Sequence, residues 1–217
     1  MHVAAIMDGN RRWAVTQGWK KIIGHKYGVK SLENMLRWCR ELDVKTFSVY
    51  ALSTENLARS ELEVGHLFAL LGDFSSNISF FLDLDISVKM MGNLDLLPEK
   101  LQRTLKNLED QTKQCGSLDF QVCIAYGGKD EIIRAARKIC DAGEEITEEN
   151  LEKYLDSPAQ PDLIIRTGGN KRLSNFLMWQ SAYSELYFID KYWPEFEKND
   201  LVQALDFYHN QKRNFGK

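Results

Sequence analysis

Asp8 is the only acidic residue among the first 32, and Gly9, Asn10, Arg11 and Arg12 follow it directly. A carboxylate beside guanidinium groups, a glycine and a carboxamide is suited to phosphate oxygens. The arginines supply charge-assisted hydrogen bonds, and the glycine lets the backbone approach closely. A single carboxylate in this setting can also hold Mg²⁺, which keeps most of its waters and needs few protein ligands. Without those neighbours Asp8 would read as a turn or helix-cap aspartate. Between residues 9 and 32 six basic residues (Arg11, Arg12, Lys20, Lys21, Lys26, Lys30) meet no acid; between 163 and 184 Arg166, Lys171 and Arg172 again meet none. With the whole chain at −3, these nine charges leave the remainder at −12. The plain alternative is a solvated basic face, but the Gly and Asn beside the arginines favour a phosphate or diphosphate pocket. The small net charge argues against a nucleic-acid-binding domain.

Other chemistries lack their signatures. Gly127-Gly128-Lys129 runs into Asp130 and has no glycine five residues before Gly128, so it is not a Walker A loop. There is no GxGxxG dinucleotide fingerprint and no GxSxG nucleophile elbow. The four cysteines (Cys39, Cys115, Cys123, Cys140) form no CxxC pair and read as reduced core thiols. The four histidines are scattered, with no HExxH or zinc-ligand spacing.

The elements that would position these residues alternate along the chain. Apolar, β-rich runs at 3–7, 46–52, 86–91, 120–126, 163–165 and 186–189 predict six strands, the first five ending in polar or glycine-rich turns. Helical periodicity predicts helices near 26–42, 61–83, 96–114, 129–141, 147–155 and 199–214. This order implies one α/β domain spanning 1–217, with a mostly parallel six-stranded sheet and helices on both faces. In such folds ligands sit at the carboxyl ends of the strands, where both basic stretches begin. The 217 residues, 44% hydrophobic and 27% charged, suffice for one core without disulfide or metal staples. No apolar stretch is long enough for a membrane span, and the chain goes straight into a strand-like run with no leader pattern. A cytoplasmic protein is expected.

Three longer stretches resemble the signatures of the cis-prenyltransferases. The first is His2-Val3-Ala4-Ala5-Ile6-Met7-Asp8-Gly9-Asn10-Arg11-Arg12-Trp13 with Gly24-His25. The second is Tyr50-Ala51-Leu52-Ser53-Thr54-Glu55-Asn56-Leu57-Ala58-Arg59 with Glu63-Val64. The third is Asp162-Leu163-Ile164-Ile165-Arg166-Thr167-Gly168-Gly169, Arg172, Ser174-Asn175-Phe176-Leu177, Trp179-Gln180 and Glu185-Leu186-Tyr187-Phe188. The match runs in order over essentially the whole chain and is most similar to bacterial undecaprenyl diphosphate synthases. The DDxxD acid pairs of the trans-type synthases are absent.

The resemblance implies roles for matching residues. Asp8 would be the essential acid and Mg²⁺ ligand, and Glu185 a second metal-associated acid. Gly9, Asn10, Arg11, Arg12, Trp13, Lys21 and His25 would form the pocket of the allylic diphosphate. Ser53, Thr54, Glu55, Leu57 and Arg59 match the substrate-contacting loop. Asn56 would assist proton removal by orientation or relay, since an amide is a poor base. Arg166, Arg172, Leu173 and Ser174 would hold isopentenyl diphosphate. The implied activity is Mg²⁺-dependent condensation of isopentenyl diphosphate onto farnesyl diphosphate, giving a long-chain polyprenyl diphosphate, undecaprenyl by expectation, as a lipid-carrier precursor for cell-wall synthesis. A homodimer, and proximity to the membrane through the lipid product, are implied as well.

Some positions depart from the family pattern. Arg11 stands for a usual Gly, Lys21 for Arg, Leu57 for Trp, Ser60 for Pro, and Asn170-Lys171 for a Glu-His pair. Segment 61–86 is apolar on more than one face and is expected to help wall a hydrophobic tunnel for the growing chain. Two other functions fit the α/β frame: a non-catalytic isoprenoid-binding subunit of a prenyltransferase complex, and a phosphate-binding module or phosphatase. Asp8 and Asn56 speak against the first, and the lack of a nucleophile motif against the second.

Overall fold

Val3, Ala4, Ala5 and Ile6 have no polar face to offer water, and the chain buries them as the central strand of a sheet. In the computed structural model, which describes residues 1–211, six strands form that sheet: β1 (His2–Ile6), β2 (Thr46–Ser53), β3 (Ile86–Met91), β4 (Leu118–Tyr126), β5 (Leu163–Arg166) and β6 (Glu185–Phe188). Their order is β3-β4-β2-β1-β5-β6, and every neighbouring pair is parallel. The expected mostly parallel sheet is therefore parallel throughout. Helices cover it, as strands apolar on both faces require.

The helices are α1 (Asn10–Thr16), α2 (Ile23–Glu41), α3 (Glu61–Ser76), α4 (Ile78–Asp83), α5 (Glu99–Thr112), α6 (Gly128–Asp141), α7 (Glu148–Tyr154) and α8 (Lys198–His209). The inner face of α2, with Gly24, Gly28, Leu32, Met35, Leu36 and Cys39, follows the helical period and is buried. The end of the helix expected at 199–214 falls partly outside the described residues.

Two differences from the sequence reading matter for the site. Residues 10–16, to which the periodicity assigns no element, form α1, which starts immediately beyond Gly9 at φ 107°. The helix expected over 61–83 breaks at Asn77, whose ψ of 60° cannot continue it. The break lets Phe80 and Phe81 turn into the core, where Phe81 lies 5.3 Å from Phe74 and 6.4 Å from Phe120 between ring centroids. Phe80, Phe81 and Ile86 of the segment expected to wall a tunnel belong to the buried core, while Val64, Phe68, Leu70, Leu71, Phe74 and Ile78 are half-buried. Leu67 is the member of segment 61–86 that lines the cleft described below. The cysteine reading holds for Cys39 and Cys123, which are buried; Cys115 is half-buried and Cys140 exposed.

Candidate active site

At the carboxyl end of the sheet a cleft of about 1150 Å³ opens between α1, the start of α2, the loop after β2 and the loop after β5. Asp8 stands at its centre. The turn that presents it needs Gly9, because a Cβ there would lie 2.6 Å from Tyr192 Cδ1, besides the left-handed φ. Thr167 Oγ1 and the Trp193 amide donate to the Asp8 carbonyl at 2.7 and 3.1 Å and fix that turn to the β5 and β6 ends.

Three donors converge on the Asp8 carboxylate. Arg12 Nη2 reaches Oδ1 at 3.1 Å, while Arg166 Nη2 and Asn170 Nδ2 reach Oδ2 at 3.0 and 2.9 Å. Burial pushes this carboxyl up, but the hydrogen bonds from Asn170 and Arg166 and the charge of Arg12 outweigh it, so its pKa lies below the ordinary value. Asp8 is therefore an anion at neutral pH. Arg166 is almost wholly buried and also donates from Nη1 to the Arg172 carbonyl and to Ser174 Oγ, the latter at 2.8 Å. Its buried Nε has no partner among the described residues. The guanidinium thus shapes the loop as well as facing the cleft.

The opposite wall is the turn after β2. Ser53 Oγ accepts from the Asn56 amide at 3.2 Å and starts the 3₁₀ turn Thr54–Ala58. Glu55 accepts from Thr54 Oγ1 at 3.2 Å and from Asn175 Nδ2 at 3.0 Å. Glu63 of α3 is shared by Arg59 at 2.8 Å and Arg11 at 3.1 Å, an ion-pair clasp across the cleft mouth. His25 lines the cleft in neutral form: burial, aided by the charge of Arg59, lowers its pKa to about 4. Several guanidinium groups facing one ionised carboxylate can bind two phosphate-bearing groups side by side.

The family model described as "Putative undecaprenyl diphosphate synthase" matches residues 6–216. The chain belongs to the cis-prenyltransferase family. The prenyltransferase is 44% identical to a Methanopyrus kandleri protein named tritrans,polycis-undecaprenyl-diphosphate synthase (geranylgeranyl-diphosphate specific), over 100% of this chain and 84% of that one. Its structure resembles that of lavandulyl diphosphate synthase from Lavandula x intermedia, solved in complex with dimethylallyl diphosphate: TM-score 0.95, 35% identity, covering 100% and 98% of the two chains. A probable undecaprenyl diphosphate synthase from Campylobacter jejuni gives TM-score 0.86 at 35% identity, with the same coverage.

Of the residues the sequence singled out, the prenyltransferase cleft gathers Asp8, Gly9, Asn10, Arg11, Arg12, Lys21, His25, Ser53, Glu55, Asn56, Arg59, Arg166, Arg172 and Ser174. Thr54, Leu57 and Leu173 lie behind this lining: Thr54 bonds Glu55, while Leu57 and Leu173 pack on apolar clusters. Trp13 packs outward against Trp19 and Tyr27. Glu185 is not brought to Asp8. It begins β6, level with Leu163, whereas Asp8 follows Ile6, which is level with Arg166. That offset is about 10 Å along the strands, with two strand spacings across. Within one chain the two acids cannot share an ion.

A metal at Asp8 would then rest on one carboxylate. Oδ1 accepts only from Arg12 among the described residues and keeps a lone pair, and the group is ionised. No cluster of three or more His, Cys, Asp or Glu side chains occurs among the described residues. This donor set fits Mg²⁺, which commonly takes one or two carboxylates and completes its shell with water and substrate phosphate.

Sequence reasoning missed Asn170 and Asn175 as site residues. Asn170 takes the place of a usual acid, so its bond to Asp8 has no motif signal. Asn175 lay inside a recognised motif, but only the structure shows that it spans two loops. Its side chain and carbonyl accept from the Lys129 and Gly128 amides at 2.9 and 2.7 Å, while Nδ2 reaches Glu55.

Proposed function

We propose that this enzyme is a Mg²⁺-dependent, chain-elongating cis-prenyltransferase that condenses isopentenyl diphosphate with farnesyl diphosphate. The proposed product is undecaprenyl diphosphate, a lipid-carrier precursor for cell-wall synthesis. The observation that supports this reading best is Asp8, ionised and flanked on both sides by guanidinium groups from the first and third motifs.

In this reading Arg11, Arg12 and Lys21 bind the allylic diphosphate, and Arg166, Arg172 and Ser174 bind isopentenyl diphosphate. A bond forms between C1 of the allyl group and C4 of the isopentenyl unit, the allylic diphosphate leaves, and a proton is lost from C2. Asp8 would hold the Mg²⁺, which when bound would supply charge neutralisation for the departing diphosphate. Asn56 orients the isopentenyl group. His25, with its pKa lowered to about 4, is a weak base, so this reading gives the proton to the departing diphosphate. A homodimer, through which Glu185 on the edge strand could meet another copy, and a cytoplasmic setting complete the reading.

The test is incubation with labelled isopentenyl diphosphate and Mg²⁺, with farnesyl, geranylgeranyl or dimethylallyl diphosphate as primer, followed by chromatography of product length. Extension of farnesyl diphosphate to a C55 product supports the proposal. Extension from geranylgeranyl diphosphate alone would overturn the primer, and no extension at all the activity. The primers are included because the Methanopyrus relative is named for geranylgeranyl diphosphate and the lavender structure holds dimethylallyl diphosphate.

A further inference from the structure

Trp13, Trp19 and Tyr27 pack into one exposed cluster where α1 turns into α2. Their ring centroids lie 5.5 Å (Trp13 to Trp19), 4.8 Å (Trp13 to Tyr27) and 5.1 Å (Trp19 to Tyr27) apart. Their mutual packing leaves Trp19 41% and Tyr27 38% exposed, and Val15 and Ile23 beside them 52% and 37%. None of the three rings is among the residues lining the cleft, so the catalytic reading does not account for them. Lys20, Lys21, Lys26 and Lys30 are all exposed on the same corner, in the stretch that contains no acid.

We propose that this corner is a docking surface for an anionic phospholipid bilayer. Large apolar groups left to water within a few residues of one another mark an interaction site. Tryptophan and tyrosine combine an apolar body with a polar tip that suits the headgroup level, and lysines keep their charge there while their stems cover apolar surface. Four lysines without an acid complement a negative surface, in a molecule whose remainder is acidic and would be repelled by it. Val15 and Lys21 both border the corner and line the cleft, so docking sets the cleft mouth against the bilayer. This inference goes beyond the proposed reaction and does not depend on product length.

The test is co-sedimentation of the intact protein with vesicles of equimolar phosphatidylglycerol and phosphatidylcholine, against phosphatidylcholine alone. Binding to the anionic vesicles, weakened by added salt, is expected. Lys26→Ala with Lys30→Ala should lower partitioning roughly thirtyfold, and Trp19→Ser with Ile23→Ser should abolish it. Both double variants should retain lipid-free turnover, which also shows that they fold. Absence of vesicle binding by the wild type, or wild-type binding by the lysine variant, would overturn the proposal. So would concentration-dependent self-association removed by Trp19→Ser without any vesicle binding.

Discussion

Asn175 Nδ2 donates to Glu55 Oε1 at 3.0 Å, tying together two loops that lie 120 residues apart in sequence. The Oδ1 of the same amide accepts from Lys129 N at 2.9 Å, so the first turn of α6 anchors the link. Asn175 adopts φ 67° and Ser174 φ 51°, a backbone conformation that asparagine tolerates better than most residues. Asn175 is a positioning residue for both walls of the cleft.

Replacing it should therefore disturb both substrates together. Asn175→Ala is expected to lower kcat/KM by roughly 10- to 100-fold and to raise both KM values. Asn175→Asp keeps the acceptor for Lys129 but sets a like charge against Glu55. It should impair the Glu55 loop while preserving more of the fold. Steady-state kinetics with each substrate varied in turn would check this, and unchanged KM values in both variants would refute it.

Asp8→Ala should lower turnover by roughly 10²- to 10³-fold or more. Binding of isopentenyl diphosphate should be largely kept, because Arg172 and Ser174 remain. Isothermal titration beside single-turnover kinetics separates the two effects. Equal losses in binding and turnover would make Asp8 a residue that only organises the loop.

The Arg11 to Glu63 pair at 3.1 Å is half-exposed, and Glu63 keeps Arg59 when Arg11 is removed. Arg11→Gly should therefore cost less than about 1 kcal/mol of stability. A double-mutant cycle with Glu63→Gln should give a coupling of similar size. A coupling several times larger would mean that the clasp is a principal support of the cleft.

Stability should fall on mild acidification. Burial lowers the pKa of both His2 and His25 to about 4, below the 6.5 of an unperturbed histidine. The unfolded chain therefore binds more protons between these values. The stability gained from keeping the rings neutral is full above pH 6.5 and is lost as pH falls toward 4. It amounts to about 3 kcal/mol per histidine at most. Below that window Asp8, whose pKa is lowered, contributes in the same direction. Thermal unfolding across pH 7 to 4 should show the decline, and His25→Gln should flatten part of it. A constant Tm over this range would contradict the assignment.

The sequence by itself determined the strand and helix alternation, the parallel sheet, the family and most members of the cleft. Those depend on local periodicity and on motifs that follow strand ends. Tertiary structure alone decided which side chains meet. The distance of Glu185 from Asp8 follows from the β5–β6 register, which no local pattern encodes. The helix break at Asn77 answers to the space that Phe80 and Phe81 fill in the core. Asn170 and Asn175 became site residues through single hydrogen bonds across loops, and Trp13 left the cleft because two neighbouring rings on the outer surface gave it a packing partner. Periodicity reports which face of an element is buried; the partner met there is fixed only when the elements pack.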